Sequence, residues 1–191
     1  MSHAVAMPDH LLTVEEWDAL SVDDDGDRCE LVEGVLIVTP RAGARHQFAA
    51  HRLVELLNEA LPPDLIALPD VEVAIDEQFP PTFRAPDAVV TRTEVYESNP
   101  SRLAAADVVV AVEGVSPGTR RTDRVMKFAE YQQAGIAHYW ILDLNTGDGE
   151  FEAFQQTASG YQQFHVLDGD TVSIAEPVTL RFTLAELTRR R

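Results

Sequence analysis

The segment 107–143 constrains the possible folds more than any other part of the sequence. It begins with DVVVAVE, a run rich in β-branched residues that is typical of a strand buried on both faces. A helix is predicted from Thr119 to Ala134, and Gly135 occupies the position that usually follows a helix C-terminus. HYWILD at 138–143 predicts a second strand. A strand, a helix and a strand in this order form a right-handed crossover between parallel strands, so the sequence predicts an α/β fold.

The residues before this unit predict two helices and a further strand. Thr13 and Glu16 have the spacing of a capping box, which predicts a short helix through Leu20. Apolar residues at helical spacing predict a long helix over 44–61. Alternating apolar and polar residues predict a strand over 65–75.

Other segments complete the predicted sheet. CELVEGVLIVTP predicts strand structure with a tight turn or bulge at Glu33 and Gly34. Three strands can then form an antiparallel meander, namely 65–75, 86–90 and 107–113.

The predicted elements define one architecture. Their core order is helix, strand, strand, strand, helix, strand, which gives a mixed α/β sheet with a helix on each side. A length of 191 residues fits one domain, 1–191. Its core covers about 28–144, and a C-terminal extension of β-hairpins covers about 145–191 and ends in a short helix.

Charge excludes several classes of function. The chain has 32 acidic and 15 basic residues, which gives a formal net charge of −17. This sign excludes coating of nucleic acid or of a membrane through a basic field, but not a nuclease whose metal ions neutralise an acidic site. The N-terminal residues lack the regions of a signal peptide, and no apolar stretch reaches the ~20 residues of a membrane span. We therefore expect a cytoplasmic protein with no membrane partner.

Two carboxylates are predicted to meet at one edge of the sheet. Asp87 lies at the start of its strand, and Glu113 lies at the end of the next one. If these strands pair antiparallel, the two side chains become neighbours. Such a pair suits Mg²⁺, which binds carboxylate oxygens and keeps several waters. The alternative is structural, because an aspartate after proline is often a turn cap and Glu113 can be a solvated strand end.

Lys127 is the only lysine of the chain, whereas 14 residues are arginine. Lysine alone offers a compact ammonium that arginine cannot replace. Asp123, Lys127 and Tyr131 lie on one stripe of the predicted helix, from which the lysine could reach back to the strand end. Chance, or an ordinary ion pair with Asp123, is the alternative. A basic patch that would attract a phosphodiester lies near the start of the same helix: Arg120, Arg121 and Arg124.

The order of several motifs resembles one known family. RAPDAVV, followed by VVVAVEGVSPGTRRTDRVMKFAEYQQAGIAHYWILD, resembles the Uma-type family of restriction-endonuclease-like proteins, which is assigned to the PD-(D/E)XK nuclease superfamily. CELVEGVLIVTP and RHQ resemble its opening strand and first helix. The resemblance covers about Leu12 to Asp143. It implies a restriction-endonuclease-like αβββαβ core and an activity that depends on Mg²⁺, for which Mn²⁺ can substitute.

The resemblance also implies roles for particular residues. Asp87 and Glu113 match the two metal-binding acids of the motif, and the backbone carbonyl of Gly114, where the family often has a larger apolar residue, would be a further ligand. The motif lysine normally stands two residues after the glutamate, where this chain has Val115. A lysine displaced onto the following helix matches Lys127. Glu30 and His46 also match recurring positions and are expected to contact the metal site or the substrate, although His46 could instead be a helix-start histidine that bonds a local carboxylate. Arg124 is expected to do the same as part of the basic patch.

Three functions follow as hypotheses. The first is a Mg²⁺-dependent endonuclease that hydrolyses DNA, with Asp87, Glu113 and Lys127 as catalytic residues and a metal-bound water as the nucleophile. The second is a non-catalytic binding or regulatory module, and the third is a hydrolase of small phosphate esters. A homodimer is also expected. Four apolar residues of the C-terminal hairpins could cover the sheet or form the dimer contact: Phe151, Phe154, Tyr161 and Phe164.

Overall fold

The computed structural model describes residues 8–20, 28–39, 42–116, 118–145, 149–164 and 166–189. Within these ranges the α-helices are α1 (Val14–Ala19), α2 (Ala44–Ala60), α3 (Thr93–Glu97), α4 (Phe128–Gln133) and α5 (Leu184–Thr188). A π-helical segment, Thr122–Lys127, runs directly into α4. The strands are β1 (Arg28–Val32), β2 (Val35–Thr39), β3 (Leu65–Pro69), β4 (Val73–Asp76), β5 (Thr82–Arg84), β6 (Ala88–Arg92), β7 (Leu103–Ala104), β8 (Val108–Val115), β9 (His138–Asp143), β10 (Glu150–Thr157), β11 (Gly160–Gln163), β12 (Val166–Asp168), β13 (Thr171–Ile174) and β14 (Leu180–Thr183).

A six-stranded mixed sheet, in the order β11-β10-β9-β8-β6-β3, forms the centre of the fold. β8 and β9 are parallel, as the predicted crossover requires, whereas β3, β6 and β8 pair antiparallel. Leu53 and Leu57 of α2 belong to the core on one face. Tyr131 of α4 belongs to the core on the other. The predicted mixed α/β architecture with a helix on each side is confirmed.

A second sheet, in the order β2-β1-β5-β4-β7, lies beside the first. β1 and β2 form the predicted hairpin, and its turn residues Glu33 and Gly34 both have positive φ angles, 49° and 75°. The capping box of Thr13 starts α1 as predicted. Trp17 of α1 packs with Leu31 in a small core on this sheet. This sheet matters for function because it supplies Arg28, Glu30 and Arg84 to the candidate site.

The prediction of one strand over 65–75 is wrong. The structure has two strands there, β3 in the central sheet and β4 in the second sheet. The chain turns between them at Asp70, whose φ of 51° lies in the left-handed region. Alternation of apolar residues continues through this turn, so the sequence pattern does not reveal the break.

The helix predicted over 119–134 is present but is not uniform. Its middle portion is the π-helical segment, in which Asp123 and Lys127 are both buried. Gly135 follows the helix with a φ of 79°, as predicted. A π-helical turn inside a helix is rare and is often found at functional sites.

The C-terminal hairpins cover the central sheet. β10 pairs with β9 and thereby extends that sheet, whereas β12, β13 and β14 form a separate three-stranded sheet. Phe151 is 1% exposed, and Phe154 and Tyr161 pack edge-on against Phe128. Phe164 packs against the His138 ring. These aromatic residues therefore make contacts within the chain. The homodimer and the single domain both stay predictions. None of the helices in the described ranges is long and apolar enough to cross a membrane.

Candidate active site at the edge of the central sheet

The register of β6 and β8 places the two predicted acids next to each other. Ala88 pairs with Val112 in this antiparallel ladder, so the next position along it sets Asp87 opposite Glu113. Both carboxylates are withdrawn from solvent, since Asp87 is 8% exposed and Glu113 is 2% exposed. The alternative interpretation of Glu113 as a solvated strand end is therefore wrong.

Asp87 is held as a charged carboxylate. Its Oδ1 accepts a 2.6 Å hydrogen bond from Nη1 of Arg28, and its Oδ2 accepts a 2.7 Å bond from the backbone N–H of Gly114. Nε2 of His46 lies 3.3 Å from the same Oδ2. Burial opposes ionisation, but the His46 contact and the Arg28 charge outweigh it and hold the pKa of Asp87 well below its usual range.

Glu113 is more deeply buried than Asp87. Its Oε1 accepts hydrogen bonds from Nζ of Lys127 at 2.9 Å and from the hydroxyl of Tyr131 at 2.7 Å. Complete burial nevertheless raises the pKa of Glu113 to about 7, although the ammonium of Lys127 favours its ionised form. The two adjacent acids therefore have pKa values displaced in opposite directions.

The ammonium of Lys127 is surrounded by carboxylates. Besides Glu113, its Nζ lies 3.0 Å from Oε1 of Glu30 and 3.8 Å from Oδ1 of Asp123. Burial alone would lower the pKa of Lys127, but Glu113 and Glu30 raise it, so the side chain stays protonated. At 5% exposure Lys127 is an interior residue. The alternative of an ordinary ion pair on a helix surface is wrong.

Arg84 is a site residue that the sequence analysis missed. Its Nη1 donates a 2.9 Å hydrogen bond to Oε2 of Glu30. Its Nε and Nη2 donate two 2.7 Å bonds to the carboxylate of Glu130 on α4. Arg84 thus joins the second sheet to α4 and fixes Glu30 against Lys127. Its position three residues before Asp87, within RAPD, was the available signal.

His46 packs directly over Gly114. Its Nε2 lies 2.8 Å from the carbonyl oxygen of Gly114. A Cβ atom at Gly114 would lie 2.0 Å from this Nε2, so no side chain fits there unless the histidine moves. The Asp87 contact and the Gly114 bond raise the pKa of His46 against the effect of its burial.

Two arginines occupy positions that the sequence analysis did not foresee. Arg124 binds the carboxylates of Glu150 and Glu152 on β10, so the structure does not bring it together with Asp87 and Glu113. Arg28, which was missed, contacts Asp87 directly. It follows a segment rich in aspartate, where no pattern marks it as part of a site.

The charges of the cluster do not balance. The buried and half-buried carboxylates that surround it are Glu30, Asp87, Glu113, Asp123 and Glu130, and the cations are Arg28, Arg84 and Lys127. With all of these ionised and His46 neutral the sum would be −2, but burial raises the pKa of Glu113 to about 7 and also raises the pKa of Asp123, so bound protons compensate part of this charge in the absence of a cation.

The donor atoms also suit such an ion. Asp87, Glu113 and the carbonyl of Gly114 present oxygen atoms, the donor type that Mg²⁺ prefers. Among the described residues no three His, Cys, Asp or Glu side chains already form a metal-binding cluster. Mg²⁺ commonly keeps several waters and so binds few protein ligands.

Comparison with known families assigns the chain. The sequence profile of Uma2, described as "Putative restriction endonuclease", matches residues 14–186. The chain belongs to the Uma2 family. The match includes both acids, Lys127 and the second sheet that supplies Arg84, and it extends through the C-terminal hairpins.

A solved structure shows the same fold as this Uma2 chain. It is described as a "putative nuclease belonging to DUF820" from Anabaena variabilis ATCC 29413. The TM-score is 0.70 at 16% sequence identity, and the match covers 93% of this chain and 97% of that chain. The restriction-endonuclease-like fold predicted for this Uma2 member is confirmed. Comparison with the curated proteins gives no match.

Proposed function

We propose that this Uma2 protein is a metal-dependent endonuclease that hydrolyses phosphodiester bonds in DNA. One observation carries the proposal: two buried carboxylates, Asp87 and Glu113, lie side by side at the edge of the central sheet, beside the ammonium of Lys127. Membership of a family described as "Putative restriction endonuclease" supports the same activity.

Asp87, Glu113 and the Gly114 carbonyl would hold the ion, Mg²⁺ or in its place Mn²⁺. When bound, a divalent ion lowers the pKa of a coordinated water and neutralises charge on the scissile phosphate. His46 contacts Asp87 and Gly114 and so fixes two of these oxygen donors relative to each other.

Lys127 supplies a positive charge in addition to that of the metal ion. Glu113 and Glu30 hold its ammonium in place, and Arg84 in turn holds Glu30. A fixed charge beside the reacting phosphate stabilises the negative charge that develops in the transition state without reorganisation. The hydroxyl of Tyr131 donates to Oε1 of Glu113, the same oxygen that accepts from Lys127. Neither of these two hydrogen bonds uses Oε2 of Glu113.

The assembly and location are proposed together with the activity. Cleavage of both DNA strands by a protein with one site favours an assembly of two copies, so we propose a homodimer. We further propose that it acts in the cytoplasm. Light scattering of the purified protein tests the dimer, and a monomer at high concentration would contradict it.

The test combines metal binding with cleavage. We expect MgCl₂ or MnCl₂ to raise the melting temperature, because a ligand that binds only the folded state stabilises it. Asp87→Asn and Glu113→Gln should abolish this rise and the nicking of supercoiled plasmid, whereas Glu59→Gln on the exposed part of α2 should retain both.

The outcomes separate the candidate functions. An unchanged melting shift in both site variants would contradict the metal site. Metal binding without cleavage of supercoiled DNA, single strands, RNA or small phosphodiesters would support the non-catalytic module instead. Cleavage of small phosphodiesters alone would support the hydrolase of phosphate esters.

A further inference from the structure

The strong negative charge of the chain limits how it can hold a nucleic acid. A formal net charge of −17 repels a polyanion at long range. The only lysine, Lys127, is buried. Most arginines of the described ranges are already bound by acids of the same chain: Arg28, Arg52, Arg84, Arg92, Arg102, Arg120 and Arg124. A phosphate backbone would therefore have to be bound by other cations.

Some exposed arginines have side chains that form no hydrogen bond or ion pair with any described residue. They are Arg45, Arg121, Arg181 and Arg189. Arg45 is the second residue of α2, and Arg121 immediately precedes the π-helical segment. A guanidinium without an internal partner keeps its charge and its forked donors available for a phosphate. These two arginines are therefore candidates for contacts with DNA.

Arg45 lies beside the candidate site because its neighbour in sequence packs against it. Nε2 of His46 lies 2.8 Å from the carbonyl oxygen of Gly114 and 3.3 Å from Oδ2 of Asp87. These contacts fix the first turn of α2 against the end of β8. Arg45 belongs to the same turn and is exposed, so it places a cation next to the buried carboxylates and in contact with solvent.

Arg121 lies near the same strand end on a different element. β8 ends at Val115, and the chain then turns, since the N–H of Arg120 donates a 3.1 Å hydrogen bond to the carbonyl oxygen of Ser116. Arg121 follows directly after this turn. The helical segment that carries the buried Lys127 thus also carries an exposed cation near its start.

We infer that Arg45 and Arg121 bind phosphates that flank the cleavage position and thereby supply the affinity for DNA that the net charge opposes. The inference rests on the proposed function, which places the scissile phosphate at Asp87 and Glu113. The two arginines belong to different elements that both lie at the end of β8, so one strand at the site can contact both. Phosphate contacts position a nucleic acid without reading its sequence. Binding should therefore depend on the phosphate backbone and little on base sequence.

The salt dependence of DNA binding tests this inference. Fluorescence anisotropy of a short labelled duplex measures affinity at increasing NaCl concentrations, with CaCl₂ in place of MgCl₂ to limit cleavage. The logarithm of the affinity falls linearly with the logarithm of the salt concentration, and each phosphate contact contributes about 0.9 to the slope. Arg45→Gln and Arg121→Gln should each reduce the slope by about 0.9 and weaken binding about fivefold at physiological salt.

Arg181→Gln is the matched control. Arg181 is also exposed and without a described partner, but it lies on β14, outside the two sheets that carry the site, so its loss should leave the slope unchanged.

Further measurements separate DNA binding from a structural role. Arg45→Gln and Arg121→Gln should retain the melting temperature of the wild type and its rise in MgCl₂, because both side chains are exposed and neither would bind the ion. In the plasmid assay both variants should raise KM and keep kcat at saturating DNA, the pattern of lost substrate binding.

The results that overturn the inference differ from those that overturn the proposed function. An unchanged salt slope in both variants, an equal loss of affinity in Arg181→Gln, or loss of the MgCl₂ stabilisation in either variant would overturn the role of the two arginines. Cleavage of plasmid by the wild type would then still support the nuclease. Failure of the wild type to cleave any DNA in MgCl₂ or MnCl₂ would overturn the proposed function, while the salt slopes would still decide whether the two arginines bind DNA.

Discussion

Lys127 donates a 2.9 Å hydrogen bond to Glu113 across a separation of 14 residues, and both side chains are buried. The strand places the acid, and the π-helical segment places the lysine. Removal of one partner of a buried pair leaves the other as an uncompensated charge in the interior. The pair thus connects the fold to the proposed chemistry, and changes in it should affect stability as well as activity.

Because Lys127 is the only lysine, protein labelled with ¹⁵Nζ-lysine should give one ammonium signal in a ¹H–¹⁵N spectrum. Glu113 and Glu30 hold the ammonium away from water, so its protons should exchange slowly and the signal should be sharp at neutral pH. Glu30→Gln removes one of these carboxylates and should broaden the signal. Glu59→Gln, which changes an exposed acid on α2, serves as the control.

Two outcomes would contradict this prediction. No observable ammonium signal in the wild type would mean that Lys127 exchanges freely with solvent. A signal that is equally sharp in Glu30→Gln would mean that Glu30 does not hold the lysine.

Arg84 should be far more important for stability than an exposed arginine. It is 2% exposed and binds two carboxylates, Glu30 and Glu130. Arg84→Met leaves both without their partner and should lower the free energy of unfolding by about 3–5 kcal/mol. Arg92 also contacts two acids but is 44% exposed, so Arg92→Met should cost no more than about 1 kcal/mol. Urea denaturation compares the two, and equal losses would contradict the assignment of Arg84.

Much of the fold could be predicted from the sequence because burial leaves a periodic pattern. The strand 108–115 is buried on both faces and reads as an apolar run, and Gly135 marks the helix end. The break at Asp70 and the π-helical segment could not be predicted in this way. Both depend on which strand or side chain the segment meets in space, and local sequence does not encode that contact.

The candidate site was predicted only in part, for a related reason. Asp87 and Glu113 could be paired from strand order alone, and the sole lysine was conspicuous in the composition. Arg28 and Arg84 could not be found in the same way, because they come from a second sheet whose position relative to the first is not visible in the sequence. Arg124 was assigned to the site because it belongs to a basic patch of the sequence, but Glu150 and Glu152 of β10 bind it instead.

Gly114→Ala should destabilise the protein although alanine is only one methyl group larger. The new Cβ would lie 2.0 Å from Nε2 of His46, so the ring or the strand must move. Overpacking of this kind costs about 1–3 kcal/mol. Gly118→Ala is the matched control, since its Cβ would meet only the Ser116 hydroxyl at 3.9 Å. Thermal denaturation measures both, and equal melting temperatures would contradict the close packing of His46 on Gly114.

His138 should make the fold sensitive to mild acid. Burial lowers its pKa below the ordinary histidine value, against a weaker opposing effect of Glu176. The unfolded state therefore binds a proton more readily than the folded state, so this contribution to stability is complete above about pH 6.5 and is lost as pH falls below it. His138→Phe keeps a ring beside Phe164 and removes the titration. The loss of unfolding free energy between pH 7.5 and 5 should be smaller in this variant, and an equal loss would contradict the prediction.

Lys127→Arg should be inactive even though it preserves the charge. The cavity around Lys127 is bounded by Glu30, Glu113 and Asp123 and holds a compact ammonium. A planar guanidinium is wider, so it cannot occupy the same point beside the phosphate. We expect cleavage per folded molecule to fall by at least about a hundredfold, the effect of losing one preorganised charge. Arg92→Lys, an exchange at an exposed position, should retain full activity in the same plasmid assay. Full activity of Lys127→Arg would show that only the positive charge matters at this position.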